Sequence, residues 1–541
     1  MAGVRTLSGW VQAVRGAMPG LLIGLACLAA QGPGAEPAAP TRPSAAFTDV
    51  TGASGVAEVV AAHYRSVPKW WLSGFSLIDL DGDGDLDLHL AGHGWPAAAA
   101  SNDGRGRFAY VDPRLSIPRG VRKDNDIPYP GGEIRLAYDY DEDGKVDLHC
   151  SWHDGGGVLY RNDCRAGSPP AWNFRRSGAL DYFSRASAMA DLDRDGNVDY
   201  LANATSSRDP NPKVLILFGK GGGTFGRRLL VGGAVRGSAP VPVDIDADGD
   251  LDFLLTQRGY NPPGRRILRN EGLLKFTDVT RQAGLAEDAG SIHGAGDVDH
   301  DGDVDLICVE GRVPAIYLND GRGRFRRKPD AVAGMEKVPP AARPRNANWG
   351  GAVVTDLDND GLADILVNGR YFLHVLRGTG GGRFAVVTRA WGLPTVSWSA
   401  VDEGLCFGDV DGDGDLDLVT CGPGPTARQK GAAVWRNDLA GGHWIRVRLI
   451  GRRGNRAAAG AKIRLYEAGS PGEPKRLLWY EQVAIWGRQS FHSYYAAAVT
   501  ERHFGLGPRR AADLRVEFYP SGRRIDRAGV KCDTTVAIRE E

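Results

Sequence analysis

Seven copies of one nine-residue pattern, Asp-x-Asp-x-Asp-Gly-x-x-Asp, carry the chemistry legible in this chain, beginning at Asp79, Asp139, Asp191, Asp244, Asp297, Asp356 and Asp409 at intervals of 52–60 residues. A hard cation such as Ca²⁺ takes six to eight oxygens at about 2.3–2.6 Å, and alternate carboxylates on a curled loop can all face one centre. Side-chain ligands are therefore expected from the first, third, fifth and ninth positions. These are Asp79, Asp81, Asp83 and Asp87; Asp139, Asp141, Asp143 and Asp147; Asp191, Asp193, Asp195 and Asp199; Asp244, Asp246, Asp248 and Asp252. The last three sets are Asp297, Asp299, Asp301 and Asp305; Asp356, Asp358, Asp360 and Asp364; Asp409, Asp411, Asp413 and Asp417. The seventh position is Asp85, Lys145, Asn197, Asp250, Asp303, Leu362 and Asp415. Neither Lys145 nor Leu362 has an oxygen to offer, so this position is expected to ligate through its backbone carbonyl. Up to seven Ca²⁺ ions follow as the implied cofactor.

The sixth position is glycine in all seven copies, from Gly84 to Gly414, as a loop turning sharply at positive φ requires. An EF-hand would need a bidentate Glu at position twelve, where this chain has Leu90, Cys150, Ala202, Leu255, Cys308, Val367 and Thr420. Short β-like runs such as Leu86–Leu90 follow each loop, so the loops join strands rather than helices. Seven phenylalanines, Phe47, Phe108, Phe174, Phe225, Phe276, Phe325 and Phe384, head a further strand in each unit, Phe108 and Phe325 after the clear turns Asn102-Asp103-Gly104 and Asn319-Asp320-Gly321. Units of about 53 residues then hold four strands, the content of a propeller blade. Because Phe47-Thr48-Asp49-Val50-Thr51 precedes the first loop yet matches Phe276-Thr277-Asp278-Val279-Thr280, it is expected to supply the outer strand of the last blade.

The loops resemble the FG-GAP/VCBS calcium loops of integrin α-type propellers. Together with Phe-Thr-Asp-Val-Thr and the Asn-Asp-Gly turns, they resemble the cartilage acidic protein family and its bacterial relatives. Asn455-Arg456, Gly460-Ala461, His503-Phe504-Gly505-Leu506-Gly507 and Pro520-Ser521-Gly522 are similar to the ASPIC/UnbV domain that follows such propellers. Tyr519 and Gln489-Ser490-Phe491 depart from that domain's pattern. The expected fold is all-β: a seven-bladed propeller over residues 46–440, then a small all-β domain over 441–541.

Arg5 and Arg15 precede the apolar run Leu21–Ala30, which has the length of a signal-peptide core and is too short to span a bilayer. A signal peptide over 1–31 and a Pro/Ala/Gly-rich linker over 32–45 are expected, with a secreted, periplasmic or cell-surface location. Cys27 leaves a lipoprotein alternative that Gly24 disfavours. No later apolar segment is long enough to be transmembrane. Cys406 and Cys421 flank the seventh loop and could bridge its hairpin; Cys150 and Cys164 could bridge a neighbouring one, and Cys308 and Cys532 read as buried thiols. Asn203-Ala204-Thr205 fits an N-glycosylation acceptor.

No nucleophile elbow, zincin helix or P-loop is present in the sequence, and His503 reads as structural. Trp70, Trp71, Trp95, Trp152, His153, Trp349, Trp391 and Trp398 fall on connections opposite the loops, where they either pack between blades or offer a stacking surface. The expected activity is that of a binding or adhesion module for a glycan or protein partner, with structural Ca²⁺. A polysaccharide-active enzyme is the alternative, with His153, Asp154 and Glu133 as scattered candidates.

Lys+Arg and Asp+Glu each number 66, and this balance disfavours nucleic acid as a partner. The seven loops hold 33 of the acids and only two bases, Lys145 and Arg194. The rest of the chain is therefore strongly basic, and filled loops would favour anionic partners.

Overall fold

The computed structural model describes residues 46–68, 72–92, 95–111, 133–151, 157–165, 174–180, 186–203, 213–234, 238–257, 264–286, 290–310, 313–335, 349–369, 372–394, 405–426, 429–439, 441–488 and 501–540. The signal peptide and linker expected over 1–45 lie outside this set. No helix among the described residues is long and apolar enough to cross a membrane.

The chain is built almost wholly of antiparallel sheets, and each aspartate loop joins the first two strands of one of them. In the first sheet these are Leu72–Ile78 and Asp87–Gly92, followed by Trp95–Asn102 and Phe108–Val111. The same order recurs from Glu133, Ala186, Ser238, Ser291, Trp349 and Leu405. The last sheet borrows its outer strand from the start of the chain: Phe47 pairs with Asn437 and Asp49 with Trp435. The expectation drawn from the Phe-Thr-Asp-Val-Thr match is thus met, and six of the seven phenylalanines open an outer strand; Phe384 is the second residue of Arg383–Val386, which Val332–Ala333 flanks in parallel.

Among the described residues, asparagine side chains at the close of the third strand fasten four pairs of neighbouring sheets. The Asn102 amide donates to Leu86 O in its own loop and to Val410 O of the seventh sheet, at 3.1 and 2.8 Å. Asn162 reaches back to Leu80 O at 2.8 Å, Asn319 to Ile245 O at 2.9 Å and Asn437 to Leu357 O at 2.7 Å. Since Asn102 joins the first sheet to the last, the sheets follow one another round a closed, propeller-like ring. Mixed cores seal the seams, as where Leu77 and Leu88 of the first sheet pack with Val419 and Val434 of the seventh.

One helix, Val56–Ser66, has no counterpart in the β-rich reading of the sequence. Val56, Val59, Val60, His63 and Tyr64 recur at helical spacing and are buried, on the same core that closes the first and seventh sheets. Two further sheets follow the ring. One joins His443–Ile450, Glu501–Gly507 and Thr534–Arg539; the other joins Leu477–Gln482, Lys462–Glu467, Ala511–Glu517 and Arg524–Lys531. Ile485–Arg488 leaves this C-terminal part to pair with the free edge of Ala186–Ala190, making a fifth strand in the third sheet. Ile445, Val447, Ile463 and Phe504 share one core with Leu136, Tyr138, Met189 and Tyr200 of the ring.

Three expectations need correction. Cys532 is partly exposed, at the turn that precedes Thr534–Arg539, and is not a buried thiol. Cys406 is in register with Val419 and Cys421 with Ala432, so the two cysteines are diagonal neighbours in one core, not directly opposed. Asn203 is buried and donates to Ser238 O at 3.1 Å, which removes it as an accessible glycosylation acceptor.

Removing one inter-sheet amide leaves two buried carbonyls short of a donor. Asn437→Ala should lower stability by about 1–3 kcal/mol, read as a fall in denaturant midpoint at unchanged slope; an unchanged midpoint would show that these amides do not hold the sheets together.

Candidate metal centres

Each loop is shaped by two residues at positive φ. Glycine at the sixth position lies at φ 86–103°. The fourth position is also left-handed, although its residue varies: Gly82, Glu142, Arg194, Ala247, His300, Asn359 and Gly412. The varied residue types hid this second turn from sequence reasoning, since only Gly, and to a lesser degree Asn, signals such a conformation.

The ninth aspartate, fully buried in all seven copies, is the anchor of the loop. One oxygen accepts from the backbone N–H of the second loop residue, as Leu80 to Asp87 at 2.9 Å and Val410 to Asp417 at 3.0 Å. The other accepts from the backbone N–H that ends the third strand, as Asn102 to Asp87 at 3.1 Å and Asn437 to Asp417 at 2.8 Å. Asp147, Asp199, Asp252, Asp305 and Asp364 repeat both bonds. In the third and sixth sheets Gly219 and Gly378 replace asparagine, because a Cβ there would lie 2.2–2.3 Å from Val198 O or Ala363 O.

The fifth carboxylate accepts from the seventh backbone N–H in every loop, at 2.8–3.2 Å: Asp83 from Asp85, Asp143 from Lys145, Asp195 from Asn197, Asp248 from Asp250, Asp301 from Asp303, Asp360 from Leu362 and Asp413 from Asp415. The seventh residue is thus ordered through its main chain whatever its side chain. Carboxylate oxygens of the first, third and ninth residues approach within 4.8 Å of one another in the loops of Asp79, Asp139 and Asp191; in the fourth loop Asp244, Asp246 and Asp248 do so.

Several of these oxygens are buried with no hydrogen-bond partner: Asp81 Oδ2, Asp191 Oδ1, Asp244 Oδ1, Asp246 Oδ1, Asp299 Oδ1 and Asp411 Oδ1. A buried carboxylate oxygen facing other carboxylates is costly unless a cation meets it. The donor set, all hard oxygens, fits a hard divalent cation and not a soft one.

Burial, and then the neighbouring aspartates, push these carboxyls up. Asp87, Asp147 and Asp252 rise to about 8, Asp199 to about 7 and Asp305 to about 9, while Asp364 and Asp417 also rise well above the usual range. At the first position Asp139 rises to about 6, Asp191 to about 7 and Asp297 to about 8. In the second and sixth loops one arginine of the third strand bridges two carboxylates. Arg377 pairs with Asp358 at 2.7 Å and with Asp360, and Arg161 with Asp141 at 2.8 Å and Asp143 at 3.1 Å.

The C-terminal part is docked on this same loop face, an arrangement with no repeat or motif to announce it. Lys462 Nζ lies 2.7 Å from Asp244 Oδ2, and Arg446 2.8 Å from Asp409 Oδ2. Gln482 accepts from Asp244 N at 3.0 Å. Fourth-position residues make many of the remaining contacts: Glu142 accepts from Gly454 N and Arg453 at 2.6 and 2.9 Å, His300 bonds Leu478 O, and Asn359 Oδ1 meets His503 Nε2 at 2.7 Å. His503 is half-buried, and desolvation of its ring pushes the imidazole down to about 3, in keeping with a structural role. Of the aromatic set opposite the loops, Trp391 is buried against Phe47 with ring centroids 6.3 Å apart, the packing alternative. Trp70, Trp71, Trp152, His153, Asp154 and Trp398 lie outside the described residues.

Residues 191–255, 297–367 and 356–420 match the FG-GAP-like repeat. Each FG-GAP-like stretch opens on the first aspartate of one loop and ends three residues past the ninth aspartate of the next. Loops three to seven fall inside these matches; the first two lie outside them and share their hydrogen-bond pattern. Among solved structures, a lectin from Agrocybe aegerita, studied for its recognition of non-reducing terminal N-acetylglucosamine, is 19% identical, covering 58% of this chain and 79% of its own, with a TM-score of 0.39. BBS1N in complex with ARL6DN is 12% identical, covering 68% and 92%, with a TM-score of 0.38. No curated protein matches.

Because folding raises these carboxyls above their unfolded value of 3.8, the metal-free native state holds more protons than the unfolded chain. Its stability is then fully present below about pH 4 and lost as pH rises through about 7–9. The melting temperature in chelator should fall between pH 5 and pH 8, whereas in millimolar Ca²⁺, where protons compete with the cation, it should rise over the same range. Parallel profiles with and without Ca²⁺ would contradict this reading.

Proposed function

We propose that the chain is an exported calcium-binding module of the FG-GAP/VCBS type, with a C-terminal domain of the ASPIC/UnbV kind, that holds an anionic glycan or protein partner. The observation that carries it is the set of buried, unpartnered carboxylate oxygens gathered in the loops. Ca²⁺ bound at the first, third, fifth and ninth carboxylates and the seventh carbonyl neutralises that charge and stabilises the folded state by mass action. Its part is structural. The second and sixth loops, where Arg161 and Arg377 already sit on the carboxylates, fill last.

Two features support an anionic partner. A cavity of about 920 Å³ opens between the C-terminal part and the loops, lined by Asp79, Asp139 and Asp409 on one side and Arg446, Arg448 and Arg456 on the other. Its size suits an oligosaccharide segment. The chain outside the loops is basic, and Ca²⁺ removes the acidic counterweight.

In millimolar Ca²⁺ the protein should be retained on sulfated or uronate-bearing glycans, elute with rising salt, and lose retention in chelator. Equal retention on neutral glycans, or retention indifferent to salt, would overturn the anionic reading while leaving calcium binding intact.

A further inference from the structure

Outside the loops, one cluster brings together three different metal-ligating side chains. His443 opens the first strand of the C-terminal part, and Cys532 and Asp533 form the turn between its last two strands, Arg524–Lys531 and Thr534–Arg539. His443 Nδ1 lies 2.7 Å from Asp533 Oδ2, and the Cys532 thiol donates to the same oxygen at 3.2 Å. A ring nitrogen, the sulfur and a carboxylate oxygen all lie within 4.8 Å of one another. Two proton donors thus converge on one carboxylate oxygen, an arrangement in which a divalent cation can take the place of the shared protons.

The turn is held in this shape by the backbone. Asp533 sits at φ 56° and donates its N–H to Trp444 O at 2.7 Å, while its Oδ1 accepts from Trp444 N at 3.3 Å. Cys532 N donates to Arg510 O at 3.0 Å. Both ligand-bearing segments are therefore fixed to their neighbours, and the second oxygen of Asp533 is oriented independently of the first, the support a metal ligand needs. The His443 side chain is 29% exposed and that of Asp533 47%, so solvent reaches the trio and can fill a fourth position.

We propose that His443, Cys532 and Asp533 form a site for a borderline-soft divalent cation, Zn²⁺ in particular, separate from the oxygen-only loops. Sulfur and imidazole ligands select such ions over Ca²⁺. Three protein ligands with one open position are a familiar zinc arrangement. A tetrahedral ion needs its ligand atoms about 3.3–3.6 Å apart, so the trio opens by roughly half an ångström to admit it. Binding releases the thiol proton to solvent and needs His443 as the neutral tautomer protonated at Nε2, so that the thiolate sulfur, the Nδ1 lone pair and the Asp533 carboxylate all face the metal. The ion then clasps the start of the first C-terminal strand to the final turn, beside Trp444, whose indole covers Gly414 of the seventh loop.

The two cation classes can be separated in one experiment. With the full chain in saturating Ca²⁺, titration with Co²⁺ should produce a thiolate-to-metal charge-transfer band that saturates at one equivalent and is displaced by Zn²⁺. Cys150, Cys164, Cys308, Cys406 and Cys421 are buried, so in a Cys27→Ser background the band reports on Cys532, which is the partly exposed cysteine among the described residues. Cys532→Ser should abolish the band, and His443→Ala should weaken binding by at least about tenfold. Zn²⁺ should also protect Cys532 from a thiol reagent. No band, a band that survives Cys532→Ser, or thiol labelling unaffected by Zn²⁺ would each overturn the site, and none would bear on calcium binding by the loops.

Discussion

The whole ring depends on a buried carboxylate, the ninth aspartate of each loop. Its two oxygens accept from the backbone at both ends of the unit, at the top of the loop and at the close of the third strand, so one side chain sets where three strands meet. The asparagine at that strand end carries the constraint to the previous sheet through its side-chain amide. A charge placed so deep must be met, either by a proton or by a cation, because neighbouring aspartates in a low-dielectric loop repel it. The raised carboxyls describe the first solution, and the convergent, unpartnered oxygens describe the second.

The C-terminal part adds a second claim on the same carboxylates. Lys462 and Arg446 sit on the outer oxygens of Asp244 and Asp409, whereas the unpartnered Asp244 Oδ1 and Asp411 Oδ1 are buried within those two loops. One side of a loop can therefore hold an ion while the other holds the neighbouring domain. Docking also rests on the fourth position: Glu142, His300 and Asn359 are turned outward by the left-handed backbone and meet Gly454, Leu478 and His503. Variation at that position, which looks like looseness in the repeat, is what fits the second, fifth and sixth loops to different parts of the C-terminal part.

What the sequence reveals follows from how local each constraint is. The sixth-position glycines, the ninth aspartates and the outer-strand phenylalanines act within one unit and recur seven times, so spacing alone exposes them, as it does the closing role of Phe47–Asp49. The fourth-position turn is equally local but hidden, since Glu142, Arg194, Ala247 and His300 adopt a conformation their types do not signal. Asn102 and Asn319 read from sequence as turn residues, and their inter-sheet bonds, like those of Asn162 and Asn437, appear only once the ring brings distant loops together. Val56–Ser66 carries a helical spacing that the β-rich composition around it outweighs. His443 and Cys532 stand 89 residues apart, and no repeat marks their meeting.

The central claim is that the buried loop carboxylates are met by Ca²⁺. Native mass spectrometry of the full chain, after equilibration with millimolar Ca²⁺ and again after chelation, tests it directly. Several Ca²⁺ ions per chain, up to seven and removable by chelator, are predicted; a mass that carries no Ca²⁺ in either condition would contradict the account.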